Sequence, residues 1–244
     1  MPEIWVGLTA DFSDDVLSSA FDTILNDHER ARNLRYRHQR DRQLHLLARV
    51  MCRTILSRCQ PEVLPHQWEF QPGLHGKPEL VGPKCNQGPL HFNLSHTEGI
   101  VVLAVSRAGA VGVDVERTDR PIDHLGLANR YFAQVEAEAV KNCPTEERGA
   151  LFYRIWTLKE AYVKAVGQGL AHALDSFWFE PLDTQNFNPE LQLQGNTTPT
   201  QWSAQVTNLD TAEPWVVSIV ADCGNAPPQW PIQRFQPGQV RLAR

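Results

Sequence analysis

One amphipathic segment constrains the fold of this chain more than any other, because its apolar residues recur at α-helical spacing over residues 147–166. The stripe that we expect to be buried consists of Phe152, Ile155, Tyr162, Val163 and Val166. The opposite face carries Tyr153, Thr157, Glu160 and Lys164. Glu160 and Lys164 stand one helical turn apart, so they could form an ordinary surface ion pair or half of a metal and phosphate site.

The composition indicates a soluble globular protein. Of the 244 residues, 42% are hydrophobic and 21% are charged, and no apolar run approaches the roughly 20 residues of a membrane-spanning helix. The first ten residues lack the basic start and apolar centre of a signal peptide. The five cysteines are scattered without a CxxC pair, which favours reduced thiols and argues against a zinc site. We therefore expect a cytoplasmic protein that binds no membrane.

Charge is distributed unevenly along the chain. Residues 28–58 hold nine arginines and two acids, whereas the whole chain has a net charge of −5. A basic strip on an acidic body favours binding to a compact anion or an acidic partner, and it argues against a protein that coats nucleic acid. A solvated helix face would also explain a run of arginines, so charge alone leaves both interpretations open.

The remaining elements predict an α+β fold. Further helices are expected at 13–25, 41–58, 121–130 and 134–141. Strands are expected at 4–8, 68–70, 90–94, 100–105, 111–115, 176–180, 191–193, 202–206 and 215–221. The tail from Cys223, which contains four prolines, is expected to be irregular. The order of strands and helices occurs twice with a break near 116–120, which suggests a duplicated plan with halves at 1–116 and 117–244.

Two carboxylates on one strand form the second notable feature. Side chains two apart on a strand point to the same face, so Asp114 and Glu116 should project together. Adjacent carboxylates repel each other unless a cation lies between them, and Mg²⁺ prefers oxygen ligands of this kind. Glu160 could supply a third carboxylate, and Lys164 could contact a phosphate oxygen. A strand end that emerges into solvent would explain the acidic pair alone.

Two further motifs carry polar groups at predicted strand or turn ends. Asn93-Leu94-Ser95-His96 ends a strand, where a hydroxyl and an imidazole can both donate to a phosphate. They are not a nucleophile pair of the serine protease kind, because that needs a spatial relay and an orienting acid. Lys77 lies in a Gly76-Lys77-Pro78 turn and could also reach a phosphate. Taken alone, a structural histidine and an exposed lysine explain these residues.

Taken in chain order, three motifs resemble those of the Sfp-type 4′-phosphopantetheinyl transferases. These motifs are Phe92–His96, Gly112–Glu116 and Trp156–Lys164. The Gly76-Lys77-Pro78 turn and the arginine-rich helix fit the same family, so the resemblance spans about residues 28–182. Each motif is weak by itself, but five features in the right order at compatible spacing are specific.

The resemblance implies two similar α+β halves related by a pseudo-twofold, with the active site in the cleft between them. It implies Mg²⁺-dependent transfer of the 4′-phosphopantetheine arm from coenzyme A to a serine of an acyl or peptidyl carrier protein. Adenosine 3′,5′-bisphosphate would be released, and the carrier would change from its apo to its holo form. A monomer is expected, because one chain contains both halves of the cleft.

The resemblance also assigns roles to individual residues. Asp114, Glu116 and Glu160 would hold Mg²⁺. Glu160 and Lys164 would be catalytic, with Glu160 or a metal-bound water as the general base. The coenzyme A site would comprise Arg40, His45, Gly76, Lys77, Asn93, Ser95, His96, Asp114 and Lys164. This chain departs from the family at Leu44, where many relatives carry an arginine, and the departure affects the contacts expected between the basic helix and the 3′-phosphate.

Two other functions stay open at this level. Another Mg²⁺-dependent phosphoryl- or nucleotidyl-transfer enzyme would also use Asp114 and Glu116, but the Gly-Ser turn and helix that usually precede such a pair in polymerase-like enzymes are missing. A non-enzymatic module could dock acidic partners on its basic helix. That interpretation leaves the acidic pair and Glu160 unexplained.

Overall fold

The structure is a computed structural model, and it describes residues 1–73, 76–82, 88–167, 173–180, 182, 189–193, 202–224 and 230–240. The α-helices of these residues are α1 Asp14–Ile24, α2 Asp27–Arg35, α3 Gln39–Cys59, α4 His124–Tyr131, α5 Gln134–Asn142 and α6 Thr145–Val166. Their strands are β1 Glu3–Leu8, β2 Phe70–Pro72, β3 Pro78–Leu80, β4 His91–Thr97, β5 Ile100–Ser106, β6 Val111–Arg117, β7 Phe177–Glu180, β8 Glu190–Leu193, β9 Trp202–Asn208, β10 Trp215–Asp222 and β11 Ile232–Arg234. No helix among the described residues is both long and apolar enough to cross a bilayer.

The N-terminal layer is a four-stranded sheet covered by α3. The strand order is β11-β1-β5-β4, and β1 pairs antiparallel with β5. The inner face of α3, including Leu47, Met51 and Ile55, packs with Trp5 and Leu103 in one apolar cluster. Burial of this stripe stabilises α3, because helices of proteins gain most of their stability from tertiary packing. The same packing fixes α3 next to β4.

The C-terminal layer is a three-stranded antiparallel sheet, β6-β10-β9, covered by α6. Helix α6 approaches β6 so closely that only glycine fits at position 112. A Cβ atom on Gly112 would lie 1.9 Å from the carbonyl oxygen of Ala161 and 2.5 Å from the amide nitrogen of Ala165. Helix α6 ends at Gly167, which adopts the left-handed conformation with φ 78° and donates its N–H to Val163.

The two sheets face each other across a third apolar cluster. Val111, Val113 and Val115 of β6 pack there with the side chains of β1 and β5 that point away from α3, including Ile4 and Val102. A side chain of β4 binds the backbone of β6, since Asn93 Oδ1 accepts the N–H of Val113 at 2.9 Å. The alternation of β6 therefore buries its valines and turns Asp114 and Glu116 toward α6.

The α+β class is confirmed, and so are the long helices and the main strands, with small changes at their ends. The tail was predicted wrongly, because Ile232–Arg234 forms β11 and pairs in parallel with β1. Helix α2 was not predicted. Its start is fixed by Asn26 and Glu29, which satisfy each other's backbone N–H groups in a capping box. Each sheet carries one long helix, and a pseudo-twofold between them stays a prediction.

Strand pairing does not follow the predicted division at residues 116 and 117. β6 pairs with β10 and therefore belongs to the C-terminal sheet, although most of it precedes residue 117. β11 belongs to the N-terminal sheet, although it lies near the C-terminus. The halves 1–116 and 117–244 therefore divide the sequence but do not coincide with the two sheets. The first half contributes β6 to the C-terminal sheet, and the second half contributes β11 to the N-terminal sheet.

The face of α6 opposite the predicted stripe is largely buried as well. Tyr153 and Thr157 are only 3% and 0% exposed, because the sheet and the preceding helices enclose α6 on both sides. The hydroxyl of Thr157 lies 2.7 Å from that of Ser218 on β10. Glu160 and Lys164 thus lie on a face of α6 that packs against the sheet. Both are partly exposed, because they lie near the edge of that sheet.

Candidate active site

The site is centred on Asp114, whose side chain is 4% exposed between β6, β4 and α6. Its Oδ1 atom accepts a hydrogen bond from Lys164 Nζ at 2.5 Å and another from Ser95 Oγ at 2.8 Å. Lys164 Nζ also lies 3.1 Å from Ser95 Oγ, so the three groups form a triangle. The ion pair of Glu160 and Lys164 that the sequence allowed is replaced by an ion pair across the two elements, Lys164 with Asp114.

The second oxygen of Asp114 has a different environment. Asp114 Oδ2 is buried and has no hydrogen-bond partner among the described residues. A buried carboxylate oxygen without a partner is costly, and in a native protein it indicates a site for a bound group or a source of strain.

Asp114 also perturbs the two other predicted metal ligands. Burial, and then the Asp114 carboxylate, raise the pKa of Glu116. Burial and the same carboxylate raise the pKa of Glu160. The three acids therefore share one electrostatic neighbourhood, in which negative charge is only partly compensated by Lys164 and by Arg120, 3.7 Å from Glu116.

The predicted metal ligands are not closely grouped in this structure. Within the part of the chain that the structure describes, no three His, Cys, Asp or Glu side chains are grouped closely enough to hold a metal ion. Carboxylate oxygens are nevertheless the ligands that Mg²⁺ prefers, and Asp114 Oδ2 is a buried carboxylate oxygen without a hydrogen-bond partner among the described residues. Burial is the main cause of the raised pKa values of Glu116 and Glu160, and a cation there would offset the second cause, which is repulsion by Asp114.

A cavity of about 290 Å³ adjoins this triangle. It is lined by Arg49, Cys52, Pro78, Phe92, Asn93, Leu94, Ser95, His96 and Lys164. Burial lowers the pKa of His96, and the charges of Lys164 and Arg49 lower it further. The cavity is therefore positive in potential and suits an anionic group.

Arg49 is a charged cavity residue that the sequence analysis missed. It belongs to the arginine run, and it stands one turn beyond His45 on the same face of α3. That i, i+4 spacing was the available signal. The run itself is heterogeneous, since Arg53 is fully buried and binds Glu29 at 2.9 Å.

The other predicted residues of the basic helix lie outside the cavity. Arg40 is exposed at the start of α3 and pairs with Glu98 at 3.3 Å. His45 is buried, with its Nδ1 atom 3.1 Å from Asn33 Nδ2. Burial lowers the pKa of His45 to about 4, and Arg49 contributes to the shift. Leu44, the position that departs from the family pattern, packs against the N-terminal core.

The Gly76-Lys77-Pro78 turn reaches the site from the side of α6. Gly76 has a φ of 81°, which favours glycine. Lys77 Nζ donates to the carbonyl oxygens of Lys164 at 2.7 Å, Ala165 at 3.3 Å and Val111 at 3.3 Å. Burial lowers the pKa of Lys77 to about 8. Lys77 is thus bound to protein carbonyls and is not among the residues that line the cavity.

Comparison with known proteins gives consistent matches. The profile of the 4′-phosphopantetheinyl transferase superfamily matches residues 110–220, and the profile described as the N-terminal part of a 4′-phosphopantetheinyl transferase matches residues 13–108. A Synechocystis sp. protein named for the same activity is 36% identical over 174 residues, which cover 71% of this chain and 68% of that protein. The 4′-phosphopantetheinyl transferase HetI of Nostoc sp. is 35% identical over 60% of this chain and 61% of its own length. Sfp of Bacillus subtilis, also named a 4′-phosphopantetheinyl transferase, is 31% identical over 64% of this chain and 66% of its own length.

Proposed function

This chain belongs to the 4′-phosphopantetheinyl transferase superfamily, and from that premise we propose that it transfers the 4′-phosphopantetheine arm of coenzyme A to a serine of an acyl or peptidyl carrier protein. One observation carries the proposal: the triangle of Asp114, Lys164 and Ser95 stands at the edge of a positively charged cavity. Such a cavity suits the phosphates of coenzyme A, and a carboxylate beside it suits a cation on the pyrophosphate.

The chemistry is a phosphoryl-group transfer. The carrier serine oxygen forms a bond to the phosphorus that carries the pantetheine arm, while the bond from that phosphorus to the oxygen bridging to adenosine 3′,5′-bisphosphate breaks. The serine proton passes to Glu160 or to a water molecule. Lys164 donates to a phosphate oxygen, where charge accumulates as the bond breaks, and Ser95 helps to orient the Lys164 ammonium.

Asp114, Glu116 and Glu160 would hold Mg²⁺ on the pyrophosphate. When bound, the metal would neutralise phosphate charge and orient the transferring group. The Oδ2 atom of Asp114 supports this assignment, because it is a buried carboxylate oxygen without a hydrogen-bond partner among the described residues. Arg49 would join Ser95, His96 and Lys164 around the phosphates.

Two broader features complete the proposal. The site lies between β4 of one sheet and β6 of the other, so a single chain supplies both of its sides and a monomer suffices. We also propose a cytoplasmic location, in keeping with the free thiols of Cys52, Cys59, Cys143 and Cys223. Size-exclusion chromatography with light scattering tests the monomer.

The decisive test is the mass of a carrier protein after incubation with coenzyme A, Mg²⁺ and the purified chain. We expect a mass gain of one phosphopantetheine for the wild-type protein and none for Asp114→Ala, while EDTA abolishes the gain. Asp210→Ala, which changes an exposed carboxylate in the turn between β9 and β10, is the control and should retain activity. No gain with several apo carriers, together with nucleotide turnover, would favour a different phosphoryl- or nucleotidyl-transfer enzyme.

A further inference from the structure

Lys77 makes an unusual set of contacts for a residue that the sequence assigned to phosphate binding. An ammonium group has three N–H donors and no acceptor. Lys77 Nζ lies within hydrogen-bond distance of three backbone carbonyl oxygens, those of Lys164 at 2.7 Å, Ala165 at 3.3 Å and Val111 at 3.3 Å. The ammonium group therefore has as many protein acceptors within reach as it has donors.

These carbonyl groups are available for a physical reason. The last four carbonyls of an α-helix have no partner within the helix, and the C-terminus of the helix attracts cations. Lys164 and Ala165 lie in the last turn of α6, just before the left-handed Gly167. Val111 lies at the start of β6, which is the outer strand of its sheet among the described residues. Lys77 thus joins the end of α6 to β6 with one charged group.

The position of this contact matters for the site. The shortest of the three bonds is to the backbone of Lys164, the residue whose side chain binds Asp114. Glu160 lies one turn earlier on the same helix. The stem of Lys77 also passes the end of the helix, since a Cβ atom on Gly167 would be 3.9 Å from Lys77 Cδ. A shift of this last turn would move Lys164 directly relative to Asp114.

We propose that Lys77 is a positioning residue, which holds the last turn of α6 against β6 so that Lys164 meets Asp114, and that it is not a ligand of the coenzyme A phosphates. The kinetic part of this inference rests on the proposed function. The structural part does not, because it concerns the order of the last helical turn in the protein without substrate.

Lys77→Met tests both parts, since methionine keeps most of the apolar stem and removes the donors. We expect the amides of residues 161–167 to exchange hydrogen on the order of 10-fold faster, because several hydrogen bonds to a charged group are lost. We expect kcat to fall on the order of 10²-fold through misplacement of Lys164. The Kd for coenzyme A, measured by calorimetry, should weaken by less than about 10-fold, since Lys77 itself contacts no ligand and only the Lys164 contact is disturbed.

Two variants make the result specific. Lys141→Met removes an exposed lysine from α5, and it should leave exchange in residues 161–167 and kcat unchanged. Lys77→Arg keeps a cation with several donors, and it should restore most of the protection and of kcat. Exchange in α3 serves as a control for global unfolding of Lys77→Met.

The outcomes separate the two proposals. A Kd for coenzyme A weakened by about 10-fold or more, with unchanged exchange at residues 161–167, would make Lys77 a phosphate ligand and overturn the inference. Faster exchange with unchanged kcat would also overturn its kinetic part. If the wild-type chain modifies no carrier protein, the proposed function fails, and the exchange measurement still decides whether Lys77 holds the helix.

Discussion

Gly112→Ala is the substitution that most directly tests how the site is assembled. The added Cβ would lie 1.9 Å from the carbonyl oxygen of Ala161, whereas real Cβ contacts essentially never fall below 3.0 Å. Both close atoms belong to the backbone of α6, so no side-chain rotation can relieve the overlap. The helix and strand must therefore separate by about 1.1 Å, the difference between those two distances.

The separation has a calculable effect on the site. Lys164 Nζ and Asp114 Oδ1 are 2.5 Å apart. The same displacement along their line would bring them to about 3.6 Å, which is beyond hydrogen-bond range. We expect carrier modification to slow on the order of 10²-fold. Overpacking of this kind also costs about 1–3 kcal/mol of unfolding free energy, which corresponds to several degrees in Tm.

The assay combines initial rates of carrier modification with thermal unfolding. Gly238→Ala is the matched control, because Gly238 is exposed and a Cβ there would meet nothing within 4 Å. The control should keep the wild-type rate and Tm. A Gly112→Ala variant with both the wild-type rate and the wild-type Tm would show that α6 does not need this close approach, and our account of the site would be incorrect.

Three further outcomes are expected. Lys164→Ala should lower the rate of carrier modification, measured by carrier mass, on the order of 10²-fold, because an electrostatic donor to the transferring phosphate is lost. An unchanged rate would show that Lys164 has only a structural role. Lys159→Met should lower the unfolding free energy, measured by urea titration, by about 3–5 kcal/mol, because it leaves the buried Glu136 carboxylate, which lies 2.6 Å from Lys159 Nζ, without its cationic partner. Adding Glu136→Gln to this variant should recover part of that loss. A loss below about 1 kcal/mol, as for an exposed ion pair, would contradict the reasoning. His45 has a folded-state pKa of about 4, below its ordinary value of 6.5, so the unfolded chain binds the proton more tightly and stability falls as the pH drops below 6.5. Between pH 7 and pH 5 the wild-type protein should lose about 2 kcal/mol more than His45→Gln in urea titrations, and equal losses would refute this assignment.

Local periodicity was sufficient to predict the elements that carry the site. The apolar stripe of α6 and the alternation of β6 each follow from a few neighbouring residues, and both elements formed where expected. The same patterns placed Asp114 and Lys164 on faces that could meet. Their contact at 2.5 Å agrees with that expectation, although the sequence favoured Glu160 as the immediate partner of Lys164.

Contacts between distant segments were less accessible to sequence reasoning. Lys77 reaches carbonyl groups 87 and 88 positions away, and no local pattern specifies such a contact. Ile232–Arg234 lacks a strong strand signal and becomes a strand because β1 offers an unpaired edge. The burial of Thr157 depends on the sheet above it, which the helical pattern alone does not describe. Gly112 did carry a signal, since a glycine within a valine-rich strand often marks close approach of another backbone.

The energetics of Asp114 argue that the site exists for a ligand. The side chain is almost fully buried, and one of its oxygens has no partner among the described residues. After burial, its charge is the next cause of the raised pKa values of two neighbouring acids, Glu116 and Glu160. Each of these features costs stability, and an apolar residue of similar size would avoid them. Such departures from good packing and polar satisfaction are expected where function requires them. Since Lys164 and Ser95 engage only one oxygen of Asp114, the second oxygen remains available for the cation that the proposed reaction needs.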